Sequence, residues 1–483
     1  MSASANVIPV VETMPADLLT PLAVYLILSR ASDHSFLFES VEGGKNLARY
    51  SFIGADPEMI IQGGKDRVKI TANGETAVRD IGTIDFMRDH FSNCNVAVEP
   101  DLPSFIGGAI GFLGFDCVEW FEPSLRSTHK ESDSIGSAEF MFCRSIVAFD
   151  HARQVIKIVY LVFTDTINNG ELLPEFEKAK EFNRRIREKL EQGSFKLTRN
   201  QCFPSNEPTS NLTREEFENA VEQIKELIRA GECYQVVLSR CLKLRTTASS
   251  VSIYRAIRSL NPSPYMFLLD LGGRSIVGAS PEMLVRCERG TLSYRPIAGT
   301  RPRGKDPTED ISLATDMLQD EKEVSEHMML VDLGRNDLGR VAEYGTVKVE
   351  ALMEIEQYSH VQHLVSTLSA KLRPGLDRFD ALAACFPAGT VTGAPKVRAI
   401  EIIRSLEPSK RGVYAGAVGY FDYSGNMDTC IAIRTLVLEN GVATIQAGAG
   451  IVADSQPTLE FEESMNKAKV LLRAVEIAES GAL

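Results

Sequence analysis

The chain has 483 residues, more than one hydrophobic core usually serves, so two domains or one large two-sheet body is expected. Apolar residues make up 44% and charged residues 24%, as in a soluble globular protein, and a formal net charge of −13 argues against general affinity for nucleic acid or an anionic membrane. Nine scattered cysteines without a CxxC pair, no secretory leader pattern and no apolar run near the roughly 18 residues of a span predict a reduced, cytoplasmic protein outside the membrane.

Taken in chain order, the first 200 residues are strand-rich. "HSFLFES", "MIIQGG", "RVKITANGET" and "SIVAFDHARQVIKIVYLVF" are β-branched and aromatic runs bounded by turn residues. Asn73-Gly74 between two of them is a hairpin signal. "IGGAIGFLGFD" (106–116) combines glycine with apolar residues and predicts closely packed backbone. A helix is predicted over 174–191. The polar, Pro/Ser/Asn-containing stretch 192–212 is the best linker candidate. Thr213 with Glu216 fits a capping box, Phe217, Val221, Ile224 and Ile228 form one stripe, and Gly231 ends that helix. The second half mixes strands with helices near 310–334, 376–384, 395–405 and 460–480. An α+β body fits, with the chemistry in the second half.

Three constellations carry candidate chemistry. Glu323 and Glu326 sit three apart, and so do Glu460 and Glu463; each pair would project from one helix face, where like charges repel. A hard divalent cation between two such helices would relieve the repulsion, although a solvated helix face has the same spacing. In "FPAGTVTGAPKVRAIEII" (386–403), Pro395 suits the first helical position and Thr392 or Gly393 the cap, and free amides at such a start attract an anion. "QAGAGIV" (446–452) is a second Gly-rich turn. His363 lies in an apolar alternating stretch, where a satisfied core histidine is the plainer reading. Arg434 lies in the apolar "CIAIRT", and a cation there requires an anion, from the protein or from a ligand.

The ordered blocks "GASPEMLV", "PIAGTRPRG", "DEKEVSEHMMLVDLGRNDLGRV", "VQHLVSTL", "PAGTVTGAPKVRAIEII", "YAGAVGYF", "DTCIAIRT" and "QAGAGIVADSQPTLEFEESMNKA" together resemble the chorismate-utilising enzymes. Those include anthranilate synthase component I, aminodeoxychorismate synthase component I, isochorismate synthase and salicylate synthase. The likeness is strong over roughly 213–475 and weaker before residue 200. It implies an α+β fold of the anthranilate synthase component I type: a large two-layer sandwich of mixed sheets, with an N-terminal regulatory region (1–200) interleaved with a chorismate-binding catalytic domain (213–480).

By that resemblance, Glu326 and Glu463 match ligands of Mg²⁺, with Glu323 and Glu460 as supporting acids. Tyr414, Arg434, Lys467 and the backbone of Gly448, Ala449 and Gly450 match groups around the substrate, as do Gln235, Ala298, Gly299 and Thr300. Glu282 matches the acid that protonates the departing C4 hydroxyl, His363 the residue tied to proton removal and pyruvate elimination, and Thr390 the pocket wall. Members that add water carry Lys where this chain has Gln235, so ammonia is the expected nucleophile. Many aminodeoxychorismate synthases carry a nucleophilic Lys where this chain has Ala298, as the anthranilate-forming members do. Anthranilate as product is therefore the expectation, with aminodeoxychorismate, or a non-catalytic chorismate or tryptophan binder, as the alternatives. Glu39, Ser40, Pro264, Tyr265 and Met266 resemble a tryptophan feedback site. No glutaminase-type Cys block is present, so a glutamine amidotransferase subunit is the expected partner.

Overall fold

The computed structural model describes residues 5–40, 49–97, 99, 101–125, 136–166, 172–193, 207–358 and 361–481. The linker candidate therefore lies mostly outside the described residues. Two twelve-stranded sheets form the body. One runs, edge to edge, Val7–Pro15, Val155–Phe163, Ser145–Asp150, Tyr50–Ala55, His34–Glu39, Tyr265–Leu271, Arg274–Ser280, Thr435–Glu439, Val442–Ile451, Gln235–Arg245 and Thr209–Ser210, with Gly393–Ala394 also pairing Gln235–Arg245. The other runs Ile297–Pro302, Val361–Lys371, Thr291–Tyr294, Met283–Glu288, Met427–Ile431, Ala417–Asp422, Gly108–Leu113, Ala138–Cys143, Met59–Gly63, Val68–Ala72 and Glu75–Arg79, with Lys348–Gln357 on the free side of Val361–Lys371. Both sheets take strands from both halves of the chain. Mixed pairing was the expectation, and the strands pair antiparallel throughout.

The main core lies between the sheets. Phe105 shows how it closes: its ring meets Phe36 and Phe52 of the first sheet and Tyr420 of the second. The Gly-rich strand Gly108–Leu113 is closely packed, as its composition predicts; a Cβ on Gly111 would stand 1.9 Å from the Glu139 carbonyl. A second core fills the space between the outer face of the first sheet and the helices Pro21–Leu28, Ser250–Leu260 and Pro457–Ser480.

Local signals reappear where the sequence places them. Asn73 and Gly74 both have positive φ (53° and 79°) and join Ala72 to Glu75. The Arg214–Arg229 helix has its reciprocal Thr213/Glu216 cap, and Gly231 follows at φ 81°.

Four local expectations are corrected. The single helix near 310–334 is two, Pro307–Gln319 and Glu321–Gly339, because extended Asp320 ends one and caps the other through Lys322 N and Glu323 N. Pro395 is the N-cap of Lys396–Leu406, not its first residue, and Thr392 turns back to bond Ala388 O at 2.8 Å. "QAGAGIV" is strand through Ile451. Arg434 lies between strands, not within one.

That last correction locates a crossing. Arg274–Ser280 passes through residues 281–282 into Met283–Glu288 of the other sheet, and Met427–Ile431 passes through residues 432–434 into Thr435–Glu439. The two chains cross side by side, paired before and after. Ala279 N donates to Arg434 O (3.1 Å) and Ile431 N to Glu282 O (3.0 Å), which locks the crossings together.

Candidate active site

The double crossing delivers two side chains that a flat strand could not deliver. Glu282 is 8% exposed, and burial pushes its carboxyl up to about 7; only the Thr390 hydroxyl and the charge of Lys467 oppose this. Thr390 Oγ1 is close enough to favour the ionised form, yet it is buried without a hydrogen bond of ordinary geometry. Arg434 has φ 51°, in the left-handed region that non-glycine residues avoid. Burial lowers its pKa, opposed by Tyr414 and Glu463. Its guanidinium has no acceptor among the described residues, so it is a half-buried cation without a protein anion. Burial likewise pushes the Tyr414 hydroxyl up to about 12, against the charges of Arg411 and Arg434.

His363 faces the same charge. Its pKa is lowered by burial, with Gly299 O and Glu356 opposing and Arg434 adding to the effect. Nδ1 stands 3.2 Å from Gly299 O, which can only accept, so Nδ1 carries the proton. Thr300 Oγ1, 3.0 Å away, shares it, and Nε2 keeps a free lone pair. The Gly299 carbonyl is aimed by a bulge: pairing shifts between Ala298 and Thr300, and Gly299 takes φ 60°. A Cβ there would meet Met317 Sδ at 3.0 Å and Glu323 Oε2 at 3.3 Å.

The acids come next. Glu326 is raised first by the protein walling its cleft, then by the charges of Glu323 and Glu463. Glu460 is raised by burial and by Glu463. The two helices therefore bring their acids within electrostatic reach of one another. Lys467 Nζ lies 2.6 Å from Glu463 Oε1 and 3.1 Å from Gly448 O. Arg301 ties Glu323 (2.9 Å), Asp320 (3.0 Å) and Asp316 (3.1 Å) together. Among the described residues, no three His, Cys, Asp or Glu side chains stand close enough to chelate an ion as they are. The donor set is nonetheless all oxygen, and Glu326 and Glu460 add like charge with no ion pair among the described residues, which suits a hard divalent cation.

Gln235 completes the floor, its Nε2 near Gly450 in the neighbouring strand. One connected cluster thus includes Glu282, His363, Thr390, Tyr414, Arg434, Gly448, Gly450, Lys467, Gln235, Gly299, Thr300 and the four acids; Ala298 and Ala449 lie beside them in the same strands. Sequence reading missed Arg301, Glu356 and Tyr358, whose ring packs edge-on to His363 at 5.4 Å. Arg301 stood in a quoted block, but nothing in linear spacing marks it as the clamp on Glu323.

The remaining candidates lie elsewhere. Glu39, Ser40, Pro264, Tyr265 and Met266 line a cavity of about 1390 Å³, and it does not contain the titratable cluster. Glu39 accepts from Tyr254 Oη and from Arg258 Nε (3.2 Å). Asp428 accepts from Tyr265 Oη (3.1 Å) and Arg286 Nε (2.9 Å). Ser40 Oγ is buried and has no hydrogen-bond partner among the described residues.

Comparison with known proteins gives a consistent picture. The sequence profile of the chorismate binding enzyme family matches residues 33–473. Anthranilate synthase component 1 of Acetivibrio thermocellus is 42% identical, covering 99% of this chain and 97% of that one. The same-named protein of Pseudomonas aeruginosa is 44% identical over 98% and 96%. The crystal structure of anthranilate synthase component I from Streptococcus pneumoniae superposes with a TM-score of 0.76 at 36% identity, covering 95% of this chain and 99% of that one. The menaquinone-specific isochorismate synthase of Escherichia coli, at 20% identity, shares the fold (TM-score 0.71; 97% and 94% covered).

Proposed function

The chain belongs to the chorismate-binding enzyme family, and on that premise we propose that it is an anthranilate synthase component I, converting chorismate and ammonia to anthranilate, pyruvate and water. The observation that carries the reading is Glu282, a carboxyl held near pKa 7 by burial and therefore able to give up a proton near neutrality. Arg434, Lys467 and the Gly448–Gly450 backbone hold the substrate's carboxylates, and Tyr414 supports Arg434. A divalent cation held by Glu326 and Glu463, with Glu323 and Glu460 in support, would neutralise the ring carboxylate when bound.

Ammonia adds at C2, Glu282 protonates the C4 hydroxyl, and that oxygen leaves as water while the double bond shifts. His363, with Nε2 free, assists removal of the C2 proton. Pyruvate departs and the ring becomes aromatic. The protein's part is orientation and charge stabilisation. Gln235 offers no base to activate water, and Ala298 offers no nucleophile for a covalent route.

A glutamine amidotransferase subunit supplies ammonia in this reading, as the component numbering of the relatives suggests. Tryptophan occupies the large cavity, its ammonium on Glu39 and its ring near Pro264 and Met266, and inhibits by favouring an inactive arrangement. No described helix is long and apolar enough to cross a membrane. The test is to incubate the chain with chorismate, Mg²⁺ and ammonium. Anthranilate fluorescence is expected. An amino product without that fluorescence would point to aminodeoxychorismate, and unchanged chorismate would remove the enzymatic reading.

A further inference from the structure

The Glu321–Gly339 helix carries Glu323 and Glu326 in its first two turns, yet its buried residues begin only at His327 and continue through Leu330, Val331, Gly334, Asp337 and Leu338. Buried side chains therefore lie only beyond the acids. Of the helix's buried side chains, the one nearest to them is polar. His327 is fully buried, with Nε2 2.6 Å from Ser366 Oγ. Ser366, also fully buried, lies in the strand Val361–Lys371, three residues after His363. Ser366 Oγ accepts a second bond, from Met353 N at 2.9 Å.

Met353 has φ 54° in an irregular part of Lys348–Gln357, where pairing shifts between Ala351 and Glu354. Such strain persists only where the surroundings impose it. Three segments thus meet at one hydroxyl oxygen. Its two lone pairs are filled if His327 carries its proton on Nε2. With the proton on Nδ1 instead, the Ser366 hydroxyl donates to Nε2, so either tautomer keeps the link. Apolar packing is non-directional; a short hydrogen bond at the helix's first buried position fixes rotation and register.

We propose that His327, through Ser366, is a positioning residue that sets where Glu326 stands relative to the strand of His363 and to Glu463. This rests on the reading of Glu326 as a ligand of the divalent cation. The test uses the full chain with Mn²⁺ as probe, its binding followed by electron paramagnetic resonance in the presence of chorismate, beside kcat and KM. The variants are His327→Ala, His327→Gln, Ser366→Ala, the Ala/Ala double variant and Glu326→Gln.

Ser366→Ala, which opens almost no cavity, and His327→Ala should each weaken Mn²⁺ binding about tenfold. The double variant should be no worse than the weaker single, since both break one link. His327→Gln, which keeps a donor, should recover part of the loss. Lower melting temperatures with Mn²⁺ affinity within about twofold of the parent would make the pair merely structural and overturn the proposal. If Glu326→Gln loses Mn²⁺ while the pin variants keep it, the positioning role fails alone. If Glu326→Gln binds Mn²⁺ normally, the ligand reading fails and the proposal falls with it.

Discussion

The sheet crossing and the large cavity are both lined with charge, but they treat it oppositely. In the cavity, Glu39 is met by Tyr254 and Arg258, and Asp428 by Arg286 and Tyr265. At the crossing, among the described residues, Arg434 has no acceptor and Glu282 is buried with its pKa raised to about 7; on the Glu321–Gly339 helix, Glu326 is raised with no ion pair among them. Charges paired within the protein stabilise one arrangement. Charges left unpaired in a half-buried cleft cost stability and await a partner from outside. The contrast supports the proposed reading, with chemistry at the crossing and recognition or control at the cavity.

The strongest way to break that contrast is at Glu282. Glu282→Gln should lower kcat about a thousandfold, the scale of a lost general acid; stopped assays of anthranilate formation measure it. The same change should raise stability. Folding lifts this pKa from 4.5 to about 7, so between those values the native state binds more protons than the unfolded chain. The carboxyl's favourable contribution is complete below pH 4.5 and lost as pH rises through 7. At pH 8, the Gln variant should therefore exceed the parent by up to about 3 kcal/mol in denaturant unfolding.

Arg434→Met comes second. Losing a charged hydrogen bond of about 1.5–3 kcal/mol should cost roughly 10- to 100-fold in kcat/KM for chorismate. An unchanged value would mean that the unpaired guanidinium has another purpose. Ser40→Phe sharpens the contrast from the other side. Filling the cavity at the buried Ser40 hydroxyl, unpaired among the described residues, should raise the tryptophan concentration for half-inhibition at least about tenfold, and an unchanged inhibition curve would remove tryptophan from that cavity. The smallest effect is expected for Tyr265→Phe, which removes one bond to a carboxylate still held by Arg286. It should cost about 1 kcal/mol of stability and leave kcat alone.

Short-range chemistry was legible in the sequence: the Thr213/Glu216 cap, the Asn73-Gly74 turn and the glycines of the Gly108–Leu113 strand each act through neighbours in the chain or a tight backbone approach. Asp320 could have been found the same way, since it precedes Glu323 by the spacing of a cap. The crossing could not. Arg434 and Glu282 are 152 positions apart (434 minus 282), and only the pairing of their strands in two different sheets brings them together. Read linearly, "CIAIRT" continues a strand, and no local signal says that it changes sheets. The acids were legible as pairs, but that they share one electrostatic environment follows only from the packing of distant helices. Resemblance to a family supplied the roles that spacing could not.

The account stands most directly on a protonated Glu282 at neutral pH. Difference infrared spectra, parent minus Glu282→Gln, should contain a carboxylic acid C=O band that disappears with a midpoint near pH 7. A midpoint near 4.5, or no such band at pH 6, would mean an ionised carboxylate and would contradict the assignment of the acid.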